Sequence, residues 1–267
     1  MHYYLIDERV SRIGRPAQLD RIRSWIKTSR IAGQQLEVRS PQHMLEEVNK
    51  AATRNSGAVI VVLGDDLSLD LAISALRSSK LSNALGFIPL TTSSRSAELL
   101  NINDWRQATT ALLKGKRKSF DLLKVEDYVA LTGSILTPKA AIPDPSQIVT
   151  LVLDQELTVQ LPPSQLTITN TAHNQAMSEH AQPIMIEATP SINTKERIQN
   201  KQPFINLPAY LQKTSQSAVM RLKAQSLTVK TPTPLLLQNQ IQLRSTIKVS
   251  KHPSKQALIV NRKREAL

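Results

Sequence analysis

The sequence of 267 residues contains no cysteine and few aromatic residues, and both shortages restrict its chemistry. Without cysteine, the chain has no disulfide, no thiolate metal site and no cysteine nucleophile, as is common in cytosolic proteins. Aromatic residues make up 3% of the chain and hydrophobic residues 40%, so aliphatic side chains must fill the core.

Long apolar segments are also lacking. No apolar run approaches the roughly 20 residues that a membrane span needs. The opening residues MHYYLIDERV include an acid at position 7, and we do not expect a signal peptide there. We predict a cytoplasmic protein, either free or peripheral at the inner membrane surface.

The formal net charge of +13 is distributed over both halves of the chain. Within the last 47 residues, ten basic side chains stand against one acidic side chain. Such a charge attracts nucleic acid or an anionic membrane surface, although solubility explains it equally well. The basic last part contains no aromatic residue on which bases could stack, so nucleic acid is the less favoured partner.

The first half of the chain alternates strand and helix patterns. Ser40 followed by Pro41 is typical of a helix N-terminus, and Asp104 followed by Gln107 resembles a capping box. This order predicts a doubly wound, Rossmann-like parallel sheet. The candidate strands are 3–6, 36–39, 58–63 and 85–88, and the candidate helices are 16–30, 41–54, 68–78, a short one ending at 100, and 104–113.

After Gly115 the pattern changes to alternating segments rich in Val, Ile, Leu and Thr, separated by short turns. This pattern predicts an antiparallel, β-sandwich-like domain. Residues 171–217 are polar, and we interpret them as an insertion that is partly loop with one helix. Two domains are therefore expected, an α/β domain over 1–117 and a β-rich domain over 118–267.

The most informative stretch joins a buried strand to a helix. The apolar run Val59–Leu63 ends at Gly64, and Asp65 and Asp66 precede an amphipathic segment that opens at Ser68. Such a turn lies at the carboxyl edge of a parallel sheet, where ligands bind and helix N-terminal amides suit phosphate. The two aspartates oppose phosphate unless a cation offsets them. Ser68 is either a helix N-cap or a nucleotide ligand.

This turn resembles the hallmark of the diacylglycerol kinase catalytic-domain family, which includes bacterial lipid kinases and shares its fold with NAD kinases. The family's Gly-Gly-Asp-Gly-Thr corresponds here to Gly64–Ser68, with the first glycine and the aspartate kept. A second family block, LGIIPLGTGNDFA, is similar to residues 85–97 up to Leu90 and again at Thr92 and Ala97.

The resemblance extends along most of the chain. Segment 118–125 looks like the family's hinge strand, and 253–260 looks like its last strand, whereas 171–217 is the least similar part. The order and spacing of these blocks support the fold.

The resemblance implies ATP-dependent phosphoryl transfer to a lipid hydroxyl, with ATP and Mg²⁺ as cofactors. Asp66 is the catalytic candidate, and no separate metal site is predicted. Each candidate also has a plainer interpretation, as a turn residue, a helix cap or surface charge. The candidates for nucleotide contact are Gly64, Asp65, Asp66, Ser68, Thr92, Ser94 and Arg9, with Arg12 and Arg15 beside it after the first strand.

Departures from the family pattern predict a degenerate site. Asp65 and Leu67 replace glycines, and a positive φ at Leu67 would cost roughly 1–2 kcal/mol. The family's Asp-Gly-Glu turn, which supplies the proton acceptor, corresponds to Gln-Asn-Gln at 238–240, where Asn239 suits a left-handed turn. No acid occurs between Glu196 and Glu265, and a glutamine amide is neither a general base nor a good Mg²⁺ ligand.

Two classes of function therefore remain open. The first is a lipid-kinase-family protein, either an active enzyme or a pseudokinase that only binds nucleotide or lipid. The second is a non-catalytic basic interaction module that docks on an anionic membrane surface or on nucleic acid.

Overall fold

The computed structural model of the protein describes residues 1–13, 16–29, 31, 33–138, 148–161, 164–170, 183–190, 220–238 and 240–261. These residues form two compact units. The first unit holds Met1–Leu122, Asp127–Thr132 and the chain from His252, and the second holds Leu123–Glu126 and Gly133–Lys251. Several sheets combine with helices, so the predicted mixed α/β class is confirmed at this level.

Helices and strands alternate as far as Lys114, and every later element in the described part is a strand. The first elements are β1 (His2–Asp7), α1 (Glu8–Ile13), α2 (Pro16–Thr28), β2 (Gln34–Val38), α3 (Pro41–Arg54), β3 (Val59–Gly64), α4 (Asp66–Ser78), β4 (Leu85–Pro89), α5 (Arg95–Leu99) and α6 (Trp105–Lys114). The later strands are β5 (Lys116–Phe120), β6 (Leu123–Val125), β7 (Tyr128–Ala130), β8 (Gly133–Pro138), β9 (Val149–Leu153), β10 (Leu157–Leu161), β11 (Ser164–Asn170), β12 (Ile184–Pro190), β13 (Met220–Ala224), β14 (Ser226–Lys230), β15 (Leu235–Leu237), β16 (Ile241–Gln242), β17 (Thr246–Lys251) and β18 (Gln256–Val260).

The first unit is built on a sheet with the strand order β2-β1-β3-β4-β18-β5. The pairs from β2 to β18 are parallel, whereas β5 runs antiparallel to β18. Strand β3 is buried along its whole length, as a central strand of a parallel sheet should be. Because β1 lies between β2 and β3, the winding direction reverses there, and the ends of β1 and β3 flank a topological switch point.

Local sequence explains where the main helices begin. The Ser40 hydroxyl accepts the His43 amide at 3.1 Å, and Pro41 occupies the first position of α3. The Asp104 carboxylate accepts the Gln107 amide at 2.8 Å at the start of α6. Both N-caps are as predicted, but Gln107 Oε1 accepts the Asn103 amide and not the Asp104 amide, so the expected capping box is incomplete. The predicted apolar faces of α2 and α3 are buried at Leu19, Ile22, Ile26, Met44, Val48, Ala51 and Ala52.

The observed division of the chain differs from the predicted boundary between residues 117 and 118. Strands β5 and β18, expected in the β-rich domain, complete the sheet of the first unit. The reason is burial, since Gln256 and Leu258 of β18 are fully buried between β4 and β5. A strand pattern in the sequence does not specify which sheet the strand joins.

The second unit contains antiparallel strands in the orders β10-β9-β14-β17-β6 and β13-β12-β11-β8-β15-β16. Burial alternates along them, as in β9, where Val149, Leu151 and Leu153 are buried. Each sheet therefore places one face in a core. The antiparallel pairing predicted for this region is observed, and the stacking of the sheets as a sandwich stays a prediction.

Strand β12 corrects part of the predicted insertion at 171–217. It pairs with β11 and β13 and buries Ile184, Ile186 and Ala188, although a loop with one helix was expected there. Three alternating apolar residues are a short signal, and cross-strand pairing decides the structure of such a segment. Residues 171–182 and 191–219, and with them the expected helix, lie outside the described residues.

Gly133 provides a test of the second unit. Its φ is +152°, and a Cβ there would lie 2.1 Å from the Ile168 carbonyl oxygen. We expect Gly133→Ala to lower the free energy of unfolding by about 1–3 kcal/mol. Gly57→Ala is the control, because its Cβ would meet only Asn55 Oδ1, at 3.5 Å. Urea denaturation measures both, and equal stability of the two variants would contradict the backbone geometry at Gly133.

Candidate functional site

Helix α4 begins with a capping box at the first of the two aspartates. Asp65 is the N-cap, because its carboxylate accepts the Ser68 amide at 2.8 Å and its amide donates to Ser68 Oγ at 3.2 Å. Ser68 is therefore in the third helical position and is not the cap. Leu67 is buried in the first turn without a positive φ. The condition for strain at Leu67, a positive φ, is not met, because the helix starts at Asp66, two residues earlier than predicted.

Gly64 is required for the close approach of α4 to strand β3. A Cβ on Gly64 would lie 2.3 Å from Ser68 Oγ and 3.3 Å from Asp7 Cβ. Its φ is not positive. The kept glycine therefore serves packing between the strand end and the helix, because no side chain fits there.

A buried aspartate that the sequence analysis missed joins this turn. Asp7 ends β1 and is fully buried. Its carboxylate accepts Ser68 Oγ at 2.7 Å and Arg9 Nε at 3.1 Å, and the Arg9 guanidinium forms an ion pair with it. The sequence signal for Asp7 is an acid directly after the apolar run Tyr3–Ile6. Neighbouring parallel strands end at the same edge of the sheet, so an acid at the end of β1 lies near the turn that follows β3.

Two carboxylates approach the same serine hydroxyl at the switch point. Ser68 Oγ lies 2.7 Å from Asp7 Oδ2 and 2.8 Å from Asp65 Oδ1. A hydroxyl has one hydrogen, so Ser68 donates to one carboxylate at a time. The crevice between the ends of β1 and β3 is therefore lined with negative charge, which Arg9 offsets on the Asp7 side.

Asp66 is directed toward the next strand–helix connection. Its carboxylate accepts Ser94 Oγ at 2.5 Å, the Arg95 amide at 3.0 Å and the Ser96 amide at 3.1 Å. Ser94 is the N-cap of α5, because its hydroxyl accepts the Ala97 amide at 3.0 Å. The acid of α4 thus binds the free amides of α5 as a phosphate or another anion would.

The remaining candidates are distributed less tightly. Thr92 is exposed in the connection between β4 and α5. Arg9 lies in the short helix α1, where a loop was expected, and its guanidinium binds Asp7. The side chain of Arg12 and all of Arg15 lie outside the described residues. Among the candidates that the structure describes, it therefore brings together all except Thr92, in two hydrogen-bonded clusters.

The predicted turn at 238–240 is part of the second unit. Strands β15 and β16 pair on either side of it, and the Gln240 amide donates to the Leu237 carbonyl at 3.1 Å. Gln238 has a φ of +49°, in the left-handed region. Asn239 lies outside the described residues. In the described part of the chain, no three acidic or histidine side chains are arranged to hold a metal ion.

Comparison with known proteins agrees with this architecture. Residues 12–125 match the family model of the diacylglycerol kinase catalytic domain. Two solved structures from Bacillus anthracis str. Sterne, both assigned as diacylglycerol kinases, have TM-scores of 0.67 and 0.66 to this chain at 12% and 13% identity. Each alignment covers 97% of both chains. A search of curated proteins finds no match.

A parallel sheet with polar turns at a switch point defines an open α/β fold. Over residues 12–125 the chain is similar to the diacylglycerol kinase catalytic domain. The resemblance predicted from Gly64–Ser68 and from residues 85–97 is confirmed. No helix in the described part of the chain is long and apolar enough to cross a membrane.

Asp66 can be tested as a structural cap. Asp66→Ala leaves three donors without their acceptor, and we expect the free energy of unfolding to fall by about 1–3 kcal/mol. The control is Asp104→Ala, which removes a single N-cap bond on α6 and should cost about 1 kcal/mol. Urea denaturation compares the two variants. If Asp66→Ala were no more destabilising than Asp104→Ala, the bridge from α4 to α5 would not hold.

Proposed function

We propose that this protein is a pseudokinase, a lipid-kinase-family member that binds ligand without ATP-dependent phosphoryl transfer to a lipid hydroxyl. The observation that carries the proposal is the direction of Asp66. Its carboxylate accepts hydrogen bonds from the Ser94 hydroxyl, which is a candidate nucleotide contact, and from the amides of Arg95 and Ser96 beside it.

Phosphoryl transfer needs donors for the phosphates, a cation for the developing charge and an acceptor for the hydroxyl proton. The Ser68 amide on α4 is occupied by Asp65, just as the α5 amides are occupied by Asp66. The family's proton acceptor is replaced by the glutamines of the turn at 238–240. The phosphate donors are therefore occupied by acids of the chain itself, and the proton acceptor is replaced by amides.

The ATP and Mg²⁺ that the family implies do not fit the residues present. Asp7, Asp65 and Asp66 place three carboxylates near the ends of β1 and β3, and Arg9 pairs with the Asp7 carboxylate. A polyphosphate would meet this negative charge directly. Asp7 already accepts Ser68 and Arg9, so a metal ion would have to displace these partners. These carboxylates oppose the binding of phosphate but not of lipid, so lipid is the remaining ligand class of the family.

A second candidate function is a basic interaction module. It is favoured by the formal net charge of +13 and by β5, an edge strand whose Lys116, Arg117 and Lys118 are all exposed. Such a module needs no catalytic group. It would show a strongly salt-dependent affinity that ATP does not change.

Thermal unfolding with and without Mg-ATP tests the pseudokinase proposal. A ligand at 100 times its Kd stabilises a protein by about 2.7 kcal/mol, which raises Tm by roughly 5 °C or more for a chain of this size. We expect no shift at millimolar Mg-ATP, and no transfer of labelled phosphate to diacylglycerol vesicles. Turnover that Asp66→Asn abolishes would identify an active kinase instead, and a shift without turnover would contradict the expected exclusion of Mg-ATP by the carboxylates.

A further inference from the structure

Helix α6 and strand β5 present a group of cations without interspersed acids, here called the α6–β5 surface. The sequence from Trp105 to Phe120 contains five basic residues and no acidic residue. All five are exposed, and β5 is the last strand of its sheet. The basic residues of the α6–β5 surface are Arg106, Lys114, Lys116, Arg117 and Lys118.

The exposed face of α6 combines two of these cations with an apolar side chain. Leu113 is 46% exposed and directly precedes Lys114. Positions four, seven and eight residues after Arg106 lie on its side of the helix. The residues of this exposed face are Arg106, Thr110, Leu113 and Lys114, and the opposite face buries Ala108, Ala111 and Leu112.

A tight connection holds α6 beside β5. A Cβ on Gly115 would lie 2.3 Å from the Ala111 carbonyl oxygen and 2.6 Å from the Val260 carbonyl oxygen. Lys116, the next residue, pairs with Val260 of β18. The end of the helix and the start of the edge strand are therefore fixed against the same strand, which places Lys114 and Lys116 on either side of this connection.

These cations are not neutralised by ion pairs within the described part of the chain. The acid that follows β5, Asp121, pairs with Lys255 at 3.3 Å. Arg106 and Lys118 instead lie over aromatic rings, at 5.6 Å from the ring centre of Trp105 and 5.3 Å from that of Phe120. The α6–β5 surface therefore keeps its positive charge for a partner.

Protection of a sheet edge explains only part of this surface. Lysines on an edge strand prevent pairing with other chains, and this accounts for Lys116, Arg117 and Lys118. It does not account for Arg106 and Lys114 on the helix, or for an exposed leucine next to them. Apolar residues beside cations are typical of segments that rest on a membrane interface.

We propose that the α6–β5 surface docks the protein on an anionic phospholipid membrane, with Leu113 entering the interface and the five cations contacting lipid phosphates. Nucleic acid is the less suitable partner, because Trp105 is covered by Arg106 and Phe120 is buried, so neither ring is open for base stacking. The proposal does not depend on whether the protein uses ATP.

Co-sedimentation of the full chain with phosphatidylcholine vesicles, with and without phosphatidylglycerol, tests whether the cations of the α6–β5 surface bind the anionic membrane. The triple variant K116Q/R117Q/K118Q should bind the anionic vesicles about a hundredfold more weakly, at about 1 kcal/mol per cation. The control R21Q/K27Q/R54Q lowers the net charge by the same three units at exposed positions on α2 and α3. Equal weakening in both triple variants would overturn the proposal, because the attraction would then come from overall charge.

The apolar part of the surface has a separate test that does not alter charge. Leu113→Ala should weaken binding to anionic vesicles about tenfold, at about 0.8 kcal/mol per buried CH₂. Ile148→Ala should leave it unchanged, although Ile148 is 47% exposed and Leu113 is 46% exposed. Binding to duplex or single-stranded DNA without binding to the vesicles would overturn the proposal in favour of a nucleic-acid partner.

Discussion

The hydrogen bond between the buried Asp7 and the Ser68 hydroxyl is the contact on which this architecture depends. It joins the end of β1 to the first turn of α4 across a distance of 2.7 Å, and it forms only because Gly64 has no side chain. Removing Ser68 would leave a buried carboxylate with one partner fewer, which is costly in a protein interior. This hydrogen bond therefore holds the end of β1 against the first turn of α4, and Arg9 offsets the charge of the Asp7 carboxylate.

Carboxylates of this region also determine which amides in the first turns of α4 and α5 already have an acceptor. Binding a phosphate at such a turn requires amides that are short of acceptors. Asp65 and Asp66 supply the acceptors from within the chain, one to α4 and the other to α5. Asp65, which stands where the family has a glycine, and Asp66, which matches the family aspartate, thus bind the first-turn amides of α4 and α5.

Much of the first unit could be predicted from sequence, because its signals are local. The buried run Val59–Leu63, the cap at Ser40 and the cap at Asp104 each specify an element without reference to distant residues. The site was harder to predict, because Asp7 lies 61 positions from Ser68 and no spacing rule connects them. Strand β12 and the placement of β18 likewise depend on which neighbours cover them.

The position of β18 also has a consequence for the order in which the protein can fold during synthesis. This strand lies between β4 and β5, yet it is made after the whole second unit. Until it arrives, one edge of β4 and one edge of β5 have no neighbour in the sheet. The first unit therefore keeps unpaired backbone groups at these strand edges until residues 256–260 leave the ribosome. Exposed strand edges of this kind favour aggregation, so interrupted synthesis should be more harmful here than in a sheet formed in chain order.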